Sequence, residues 1–206
     1  FIMLAEENNT IIDIGHWVLR QACSQAKQWL DSGLVFEAMS VNVSAKQLQS
    51  DELIKHVQNA LTISGLEPHR LELEITESFI LHQPDAAIAR LHRLCELGVT
   101  LAIDDFGTGY SSLSYLKRLP VHRLKIDRSF ISDIPHDTND TAITQAIIVM
   151  AEQLGLEIIA EGVETSEQAE FLLGNQCKQA QGYLYSKPLT ANDATAYLGN
   201  KASMLI

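Results

Sequence analysis

The segment Leu101-Ala-Ile-Asp104-Asp105-Phe-Gly107-Thr-Gly109-Tyr-Ser-Ser112 decides the fold class of this chain. An apolar run typical of a strand ends in two adjacent carboxylates, and a glycine-rich turn follows at once. Two neighbouring acids repel each other unless a positive charge lies beside them. At the end of a buried strand that charge is usually a divalent cation, because carboxylate oxygens are its preferred ligands. A solvated Asp-Asp turn is the alternative interpretation for this segment alone.

Strand and helix patterns alternate along the sequence, which indicates a parallel sheet flanked by helices. The predicted strands cover residues 38–43, 70–76, 99–104, 122–127, 157–160 and 179–182. The predicted helices cover residues 11–31, the stretch after Ser50, 85–97, 112–119, 139–154, 166–173 and the stretch from 191 onward. In the first helix, apolar residues recur at helical spacing, at Ile14, Trp17, Val18, Ala22, Ala26 and Trp29.

Polar side chains stand at the carboxyl end of every predicted strand. They are Asn42, Glu74 with Glu77, Asp104 with Asp105, Lys125 with Asp127, Glu161 with Glu164, and Gln181. In a barrel of parallel strands these ends converge on one mouth, whereas an open doubly wound sheet spreads them along an edge. We therefore expect an α/β fold, a TIM-like (β/α)₈ barrel. Six strands do not close it, so we expect two more upstream of Phe1, and a chain that is N-terminally incomplete.

Oxygen donors dominate this predicted mouth, at Asn42, Glu74, Asp104 and Asp105. Hard cations such as Mg²⁺ or Mn²⁺ prefer such ligands, and the lack of histidine or cysteine among them argues against zinc. Four donors with an adjacent acid pair suit two ions about 3.5–4 Å apart, the spacing used for phosphoryl displacement. Structural interpretations stay open: Asn42 as a turn cap and Glu74 as a surface strand residue.

Three further polar residues are candidates for chemistry at the same level. Lys125 is placed to orient or deprotonate an attacking water, or to neutralise a developing oxyanion. Glu161 is placed to hold a water at a metal, and Gln181 to donate a hydrogen bond to a ligand. A structural salt bridge is the alternative role for Lys125.

Composition limits the partners and the compartment. The formal net charge is −11 across 206 residues, which argues against a DNA or RNA polymer because such partners need a positive surface. A phosphate substrate remains compatible if bound cations reverse the local sign. The three cysteines, Cys23, Cys95 and Cys177, are isolated and lack metal-site spacing. We expect reduced thiols and a cytoplasmic location for this domain.

A set of motifs distributed over nearly the whole chain resembles one known family. They are Ser40-Val-Asn42-Val-Ser44, Glu74-Ile-Thr-Glu77-Ser, Asp104-Asp105-Phe-Gly-Thr-Gly-Tyr-Ser-Ser, Leu124-Lys125-Ile-Asp127-Arg-Ser-Phe, Ala160-Glu161-Gly-Val-Glu164-Thr and Gln181-Gly-Tyr-Leu-Tyr-Ser-Lys-Pro188. Together, and in this order, they resemble the EAL domain of bacterial cyclic-di-GMP phosphodiesterases. The resemblance implies one EAL-type domain over residues 1–206, and metal-dependent hydrolysis of cyclic-di-GMP to linear pGpG.

The resemblance also implies roles for individual residues. Asn42, Glu74, Asp104 and Asp105 match the family's metal ligands, for two ions of Mg²⁺ or Mn²⁺. Lys125 matches the residue that positions the attacking water, and Glu161 matches a carboxylate beside the metals or a base. With Asp105 they make the expected catalytic set. Gln181 is expected near the substrate, and Glu77 is expected to brace the Asp-Asp-Phe-Gly loop, which in the family is thought to couple dimerisation to activity.

One departure from the family pattern keeps a second function open. The Glu-Ala-Leu motif that names the family, and the arginine shortly after it, are absent from the chain. By family spacing that glutamate belongs roughly fifteen to twenty residues before Phe1. The alternative is therefore a non-catalytic cyclic-di-GMP receptor or regulatory domain. An enolase-like barrel fits poorly, because it does not explain the adjacent aspartates and the glycine turn. We expect a homodimer, with a sensor or GGDEF domain fused upstream.

Overall fold

The computed structural model describes residues 1–50, 52–77, 84–109 and 116–202. Some of the sequence predictions fall outside these ranges. They concern the turn residues Tyr110–Ser112, most of the helix predicted at 112–119, and Ser78.

The six predicted strands are all present, each within two residues of its expected bounds. They are β1 Met39–Val43, β2 Leu71–Thr76, β3 Thr100–Phe106, β4 Arg123–Ile126, β5 Glu157–Glu161 and β6 Gln179–Gln181. The helices in the described residues are α1 Ile2–Glu7, α2 Thr10–Asp31, α3 Ala45–Gln49, α4 Glu52–Ser64, α5 Pro84–Cys95, α6 Arg128–Ile131, α7 Thr138–Gln153, α8 Ser166–Gly174 and α9 Ala191–Ala202. The short helices α1, α3 and α6, and a 3₁₀ turn at Pro68–Arg70, were not predicted.

Strand order separates the two candidate α/β architectures. Among the described residues the strands form one sheet with the order β1-β2-β3-β4-β5-β6, which is their order along the chain. From β3 to β6 each strand pairs with the next in parallel. A doubly wound sheet reverses its strand order at a switch point, so the sequential order excludes it and matches consecutive strands of a barrel. Closure of the barrel, and strands upstream of Phe1, remain predictions.

The chain divides into two compact units. The first comprises Phe1–Glu74, Asp85–Thr100 and Pro188–Ile206, and the second comprises Ile75–Pro84 and Leu101–Lys187. Within the described residues, no helix is both long enough and apolar enough to cross a membrane.

The buried face of α2 in the first unit differs from the predicted one. Its buried residues are Ile11, Gly15, Leu19, Cys23 and Ala26, whereas Trp17 is 63% exposed. Of the six apolar residues noted at helical spacing, Ala26 is buried, Trp17 is exposed and the other four are half-buried. The physical reason is close approach: a Cβ on Gly15 would lie 2.0 Å from Nε2 of Gln47 on α3. Gly15 lets α2 approach α3 closely at this point, and periodicity alone does not reveal which face of the helix makes that approach.

The second unit is built on strands that are buried along their length. Leu101, Ala102 and Ile103 of β3 are at most 1% exposed, and Leu124 and Ile126 of β4 are fully buried. Such continuous apolar runs are typical of parallel strands covered on both faces. Helix α7 packs against β4 and β5. The rigid strands therefore deliver the polar residues at their carboxyl ends to fixed places.

Two histidines stack between α2 and α4 in the first unit. The ring centroids of His16 and His56 are 4.1 Å apart and their planes differ by 5°. Burial lowers the pKa of His56 below its usual value, and neighbouring His16 lowers it further. The carboxylates of Glu52 and Asp13 act in the opposite direction. The folded state therefore favours a neutral His56.

We expect acidification to destabilise the chain through this pair. Because the pKa of His56 is lower in the folded than in the unfolded state, the unfolded state binds more protons once the pH falls below 6.5. The free energy of unfolding should then decrease with pH, and His56→Gln should flatten that decrease. Urea unfolding between about pH 8 and pH 5 measures it. His92→Gln, at an exposed position, is the control. Equal pH slopes for wild type and His56→Gln would contradict the assignment.

Candidate functional site

The adjacent acids Asp104 and Asp105 lie at a bulge in β3. Between Ile103 and Phe106, β3 contains one residue more than the facing stretch of β4. Asp105 has a φ of 53°, in the left-handed region that few residues other than glycine adopt. Successive side chains of a regular strand point to opposite faces, and a bulge re-aims them. A carboxylate oxygen of Asp104 therefore lies within 4.8 Å of one from Asp105.

A buried lysine joins two of the strands at this level. Lys125 on β4 is 3% exposed, and its Nζ lies 2.9 Å from Oδ1 of Asp104 and 2.7 Å from Oε1 of Glu161. Two carboxylates at this distance stabilise the ammonium form of the lysine. Asp104, Asp105 and Glu161 form one cluster whose oxygens lie within 4.8 Å of one another. The three acids outnumber the single ammonium.

The pKa of Asp105 reflects burial and the negative charges around it. Burial raises the pKa of Asp105, and the negative charges of Asp104 and Asp127 raise it further. The ammonium of Lys125 opposes them without cancelling them. Since the donors are all carboxylate oxygens and carry excess negative charge, the cluster fits a hard divalent cation.

Asp127 belongs to this neighbourhood, although the sequence analysis gave it no role at the site. It faces Asp105 closely enough for a hydrogen bond between the two carboxyl groups. Its Oδ1 also accepts a hydrogen bond from the backbone N–H of Ser129 at 2.9 Å, which caps α6. The spacing Lys-Ile-Asp was the available signal, because residues two apart on an extended chain share a face.

Glu161 and Gln181 face each other across β5 and β6. They are register partners in the parallel pair, and Nε2 of Gln181 donates a hydrogen bond to Oε1 of Glu161 at 3.3 Å. Gln181 is exposed, as a residue that meets a ligand must be. Glu161 thus receives hydrogen bonds from both neighbouring strands.

Glu77 contacts the glycine turn that follows β3. It is 3% exposed, and its Oε2 accepts a hydrogen bond from the backbone N–H of Gly107 at 2.8 Å. A Cβ at Gly109 would lie 2.8 Å from Oε1 of the same glutamate. A bracing role requires these contacts, and its effect on activity remains a prediction.

The remaining predicted ligands, Asn42 and Glu74, belong to the first unit. Asn42 is exposed on β1, and Glu74 is 7% exposed on β2. Their participation in a metal site remains a prediction from the sequence.

A family model decides the relationship of the chain to known proteins. The model of the EAL domain matches residues 1–188. The chain belongs to the EAL-domain family. This confirms the family that the sequence motifs indicated.

Two proteins of Pseudomonas aeruginosa illustrate the similarity. The chain is 50% identical over 189 residues to the cyclic di-GMP phosphodiesterase NbdA, covering 92% of this chain and 24% of that protein. It is 47% identical over 196 residues to the bifunctional diguanylate cyclase/cyclic di-GMP phosphodiesterase MucR, covering 95% of this chain and 29% of that protein. The chain thus spans less than a third of the length of either relative.

Solved EAL structures share the fold. The MucR phosphodiesterase in complex with c-di-GMP superposes with a TM-score of 0.91 at 47% identity, covering 94% of this chain and 78% of that one. A manganese/cy-diGMP complex of Klebsiella pneumoniae BlrP1 superposes with a TM-score of 0.79 at 30% identity, covering 87% of this chain and 45% of that one.

Replacing Lys125 by methionine should destabilise the metal-free protein. The substitution leaves the facing carboxylates without their ammonium, and breaking a buried pair in this way costs about 3–5 kcal/mol. Urea unfolding in the presence of a chelator measures the loss, and added Mn²⁺ should stabilise Lys125→Met more than wild type. Lys178→Met, at an exposed lysine of the same unit, is the control. A loss for Lys125→Met no larger than that of the control would mean that the ion pairs contribute little.

Gly182→Ala should destabilise the chain through a steric clash just after β6. A Cβ at Gly182 would lie 2.2 Å from the backbone oxygen of Val163, so the segment after Gln181 must move. We expect a loss of about 1–3 kcal/mol in the free energy of unfolding. Gly174→Ala is the matched control, because no atom lies within 4 Å of its added Cβ. Equal stability of the two variants would show that the close approach is relaxed in solution.

Proposed function

We propose that this chain hydrolyses cyclic-di-GMP to linear pGpG in a metal-dependent reaction of bacterial second-messenger signalling. The observation that supports this most directly is the buried ammonium of Lys125 between Asp104 and Glu161, beside Asp105. Membership of the EAL family, which includes NbdA and MucR, agrees with it. The domain is proposed to occupy residues 1–206.

The proposed metal ligands are Asn42, Glu74, Asp104 and Asp105, for two ions of Mg²⁺ or Mn²⁺. In the described cluster the acid pair supplies carboxylate oxygens with too few positive partners. Bound divalent cations would supply Lewis acidity toward the phosphodiester and would activate water. The chain's own contribution is to hold the acid pair on one side of β3 through the bulge.

Lys125 is proposed to stabilise negative charge and to orient the attacking water. Its two carboxylate contacts favour the ammonium form, which donates hydrogen bonds and does not accept a proton. In hydrolysis the water oxygen bonds to phosphorus, one P–O bond of the cyclic diester breaks, and the released sugar oxygen becomes a hydroxyl by taking up a proton from solvent. Charge grows on the phosphoryl oxygens as this happens, and an ammonium fixed in a buried place stabilises it without reorganising.

Glu161 is the proposed acceptor for the proton of the attacking water, and Asp105 completes the catalytic set. Gln181 is proposed to contact the substrate while its Nε2 holds Oε1 of Glu161. The accessible position of Gln181 and the hydrogen bonds to Glu161 support these roles. Glu77 is proposed to transmit the state of the glycine turn to the acid pair.

The wider context is also a proposal. We propose that the domain acts as a homodimer in the cytoplasm, within a longer protein that carries a sensor or GGDEF domain upstream. The bifunctional name of MucR and the small share of that relative spanned here support a multidomain setting.

Hydrolysis with Mn²⁺ or Mg²⁺ tests the function, with pGpG quantified by chromatography and mass spectrometry. Asp104→Asn and Asp105→Asn should abolish turnover, while circular dichroism and unfolding show an intact fold. Lys125→Ala should lower kcat more than it raises KM, because the lysine acts on developing charge. Asp133→Asn is the control, at an exposed acid that the site does not use. Binding of cyclic-di-GMP without any pGpG would refute the enzyme and identify a receptor.

A further inference from the structure

A buried glutamine, Gln168, uses its whole hydrogen-bonding capacity on backbone groups. It lies on α8 and is 4% exposed. Its Oε1 accepts from the N–H of Glu164 at 2.7 Å and from that of Thr165 at 3.0 Å. Its Nε2 donates to the carbonyls of Ile131 at 3.1 Å and Ser132 at 3.0 Å. A primary amide offers two acceptor sites and two donors, so all four are satisfied.

These bonds exceed what the helix end needs. Gln168 and Thr165 form a capping box, in which the Thr165 Oγ1 accepts from the backbone of Gln168 and the glutamine side chain accepts from the backbone of Thr165. That motif leaves the two donors of the amide free. Here they reach across to the carbonyl end of α6, a different element. The amide therefore ties the segment after β5 to the helix after β4.

The two tied elements carry the proposed catalytic pair. Helix α6 begins at Arg128, three residues after Lys125, and Glu164 lies three residues after Glu161. The distance from Nζ of Lys125 to Oε1 of Glu161 is 2.7 Å. A fixed tie between the following segments thus limits how far the two side chains can separate.

Other contacts of the segment 161–165 determine how it would move if the hydrogen bonds of Gln168 were lost. The stem of Arg128, the first residue of α6, covers Gly162, where an added Cβ would lie 2.3 Å from Cγ. Its Nη2 also donates to Oε1 of Glu164 at 2.7 Å. The N–H of Val163 donates to the carbonyl of Gln181 at 3.1 Å. Two side chains therefore join this segment to α6, the exposed Arg128 and the buried Gln168. Because an exposed ion pair contributes little, loss of the Gln168 amide leaves the segment held mainly from β6, and Glu161 shifts relative to Lys125.

We propose that Gln168 is a positioning residue for Glu161, setting its distance from Lys125 and the acid pair. The inference rests on the proposed function for its kinetic consequence, but its effect on cation binding does not require turnover. Displacements of about 1 Å in such a site lower rates by about a hundredfold. Only a neutral amide both accepts from two N–H groups and donates to two carbonyls, so neither glutamate nor an apolar residue replaces it.

The test compares Gln168→Met with Asn175→Ala. Asn175 bonds the carbonyl of Phe171 and the amide of Gln145 at the opposite end of α8, so its loss weakens the same helix away from Glu161. For Gln168→Met we expect kcat to fall about ten- to a hundredfold with KM within about threefold of wild type. Asn175→Ala should keep kcat within about twofold. Equal losses of kcat in the two variants would show that Gln168 only stabilises the helix, which would contradict the positioning role.

Calorimetric titration with Mn²⁺ gives a second readout on the same proteins. Gln168→Met should bind Mn²⁺ at least about fivefold more weakly than wild type, because Glu161 no longer holds Lys125 in place beside the ligand Asp104, and Asn175→Ala should bind it unchanged. If Gln168→Met does not fold, Gln168→Glu takes its place, since it keeps the acceptor oxygens and loses the donors.

The two readouts separate the two proposals. Absence of pGpG from the wild-type chain refutes the proposed function, and the Mn²⁺ titration then decides the role of Gln168 alone. Unchanged Mn²⁺ affinity in the Gln168 variant, or no Mn²⁺ binding by wild type, overturns the inference.

Discussion

The site depends on one electrostatic constraint, the enclosure of the Lys125 ammonium between carboxylates from two neighbouring strands. A charge buried to this degree is stable only with close partners, and Asp104 and Glu161 provide them. The same contacts hold the carboxyl ends of β3, β4 and β5 in one arrangement. The negative charges of Asp104 and Asp127 still raise the pKa of Asp105 despite Lys125. A bound divalent cation would offset this excess of negative charge.

Irregular backbone features at the strand ends arrange the acids of this cluster. At the bulge in β3, where Asp105 has a positive φ, carboxylate oxygens of Asp104 and Asp105 lie within 4.8 Å of each other. Phe130 of α6 lies against Gly107, where an added Cβ would be 2.6 Å from its ring. Helix α6 therefore contacts both the turn after β3 and, through Gln168, the segment after β5, and it fixes the two relative to each other.

Much of the fold was predictable because it rests on periodicity and on polar residues at strand ends. The alternation of strands and helices gave each strand to within two residues, and the position of polar groups favoured a barrel over a doubly wound sheet. The buried face of α2 was not predictable from periodicity, since the close approach at Gly15 buries the face of Ile11 and Leu19 and leaves Trp17 exposed. The four-residue helix α6 was missed because a single turn leaves no periodic signal.

The site was predictable in its residue types more than in its geometry. Adjacent side chains in a regular strand point to opposite faces. The bulge explains why carboxylate oxygens of Asp104 and Asp105 lie close together, and the spacing of residues in the sequence does not predict a bulge. The sequence analysis placed Asp127 at a strand end without a role, and it did not single out Gln168, for a related reason. Their importance comes from partners distant in sequence, Asp105 for the one and Ile131 for the other.

Anomalous diffraction from crystals grown with Mn²⁺ tests the central claim most directly, that the carboxylates around Lys125 form a divalent cation site. The account predicts an anomalous peak within direct coordination distance of oxygens of Asp104 and Asp105. It also predicts that Glu161 stays in contact with Lys125. Crystals with no peak at the acid pair, while Mn²⁺ is bound elsewhere on the chain, would contradict it.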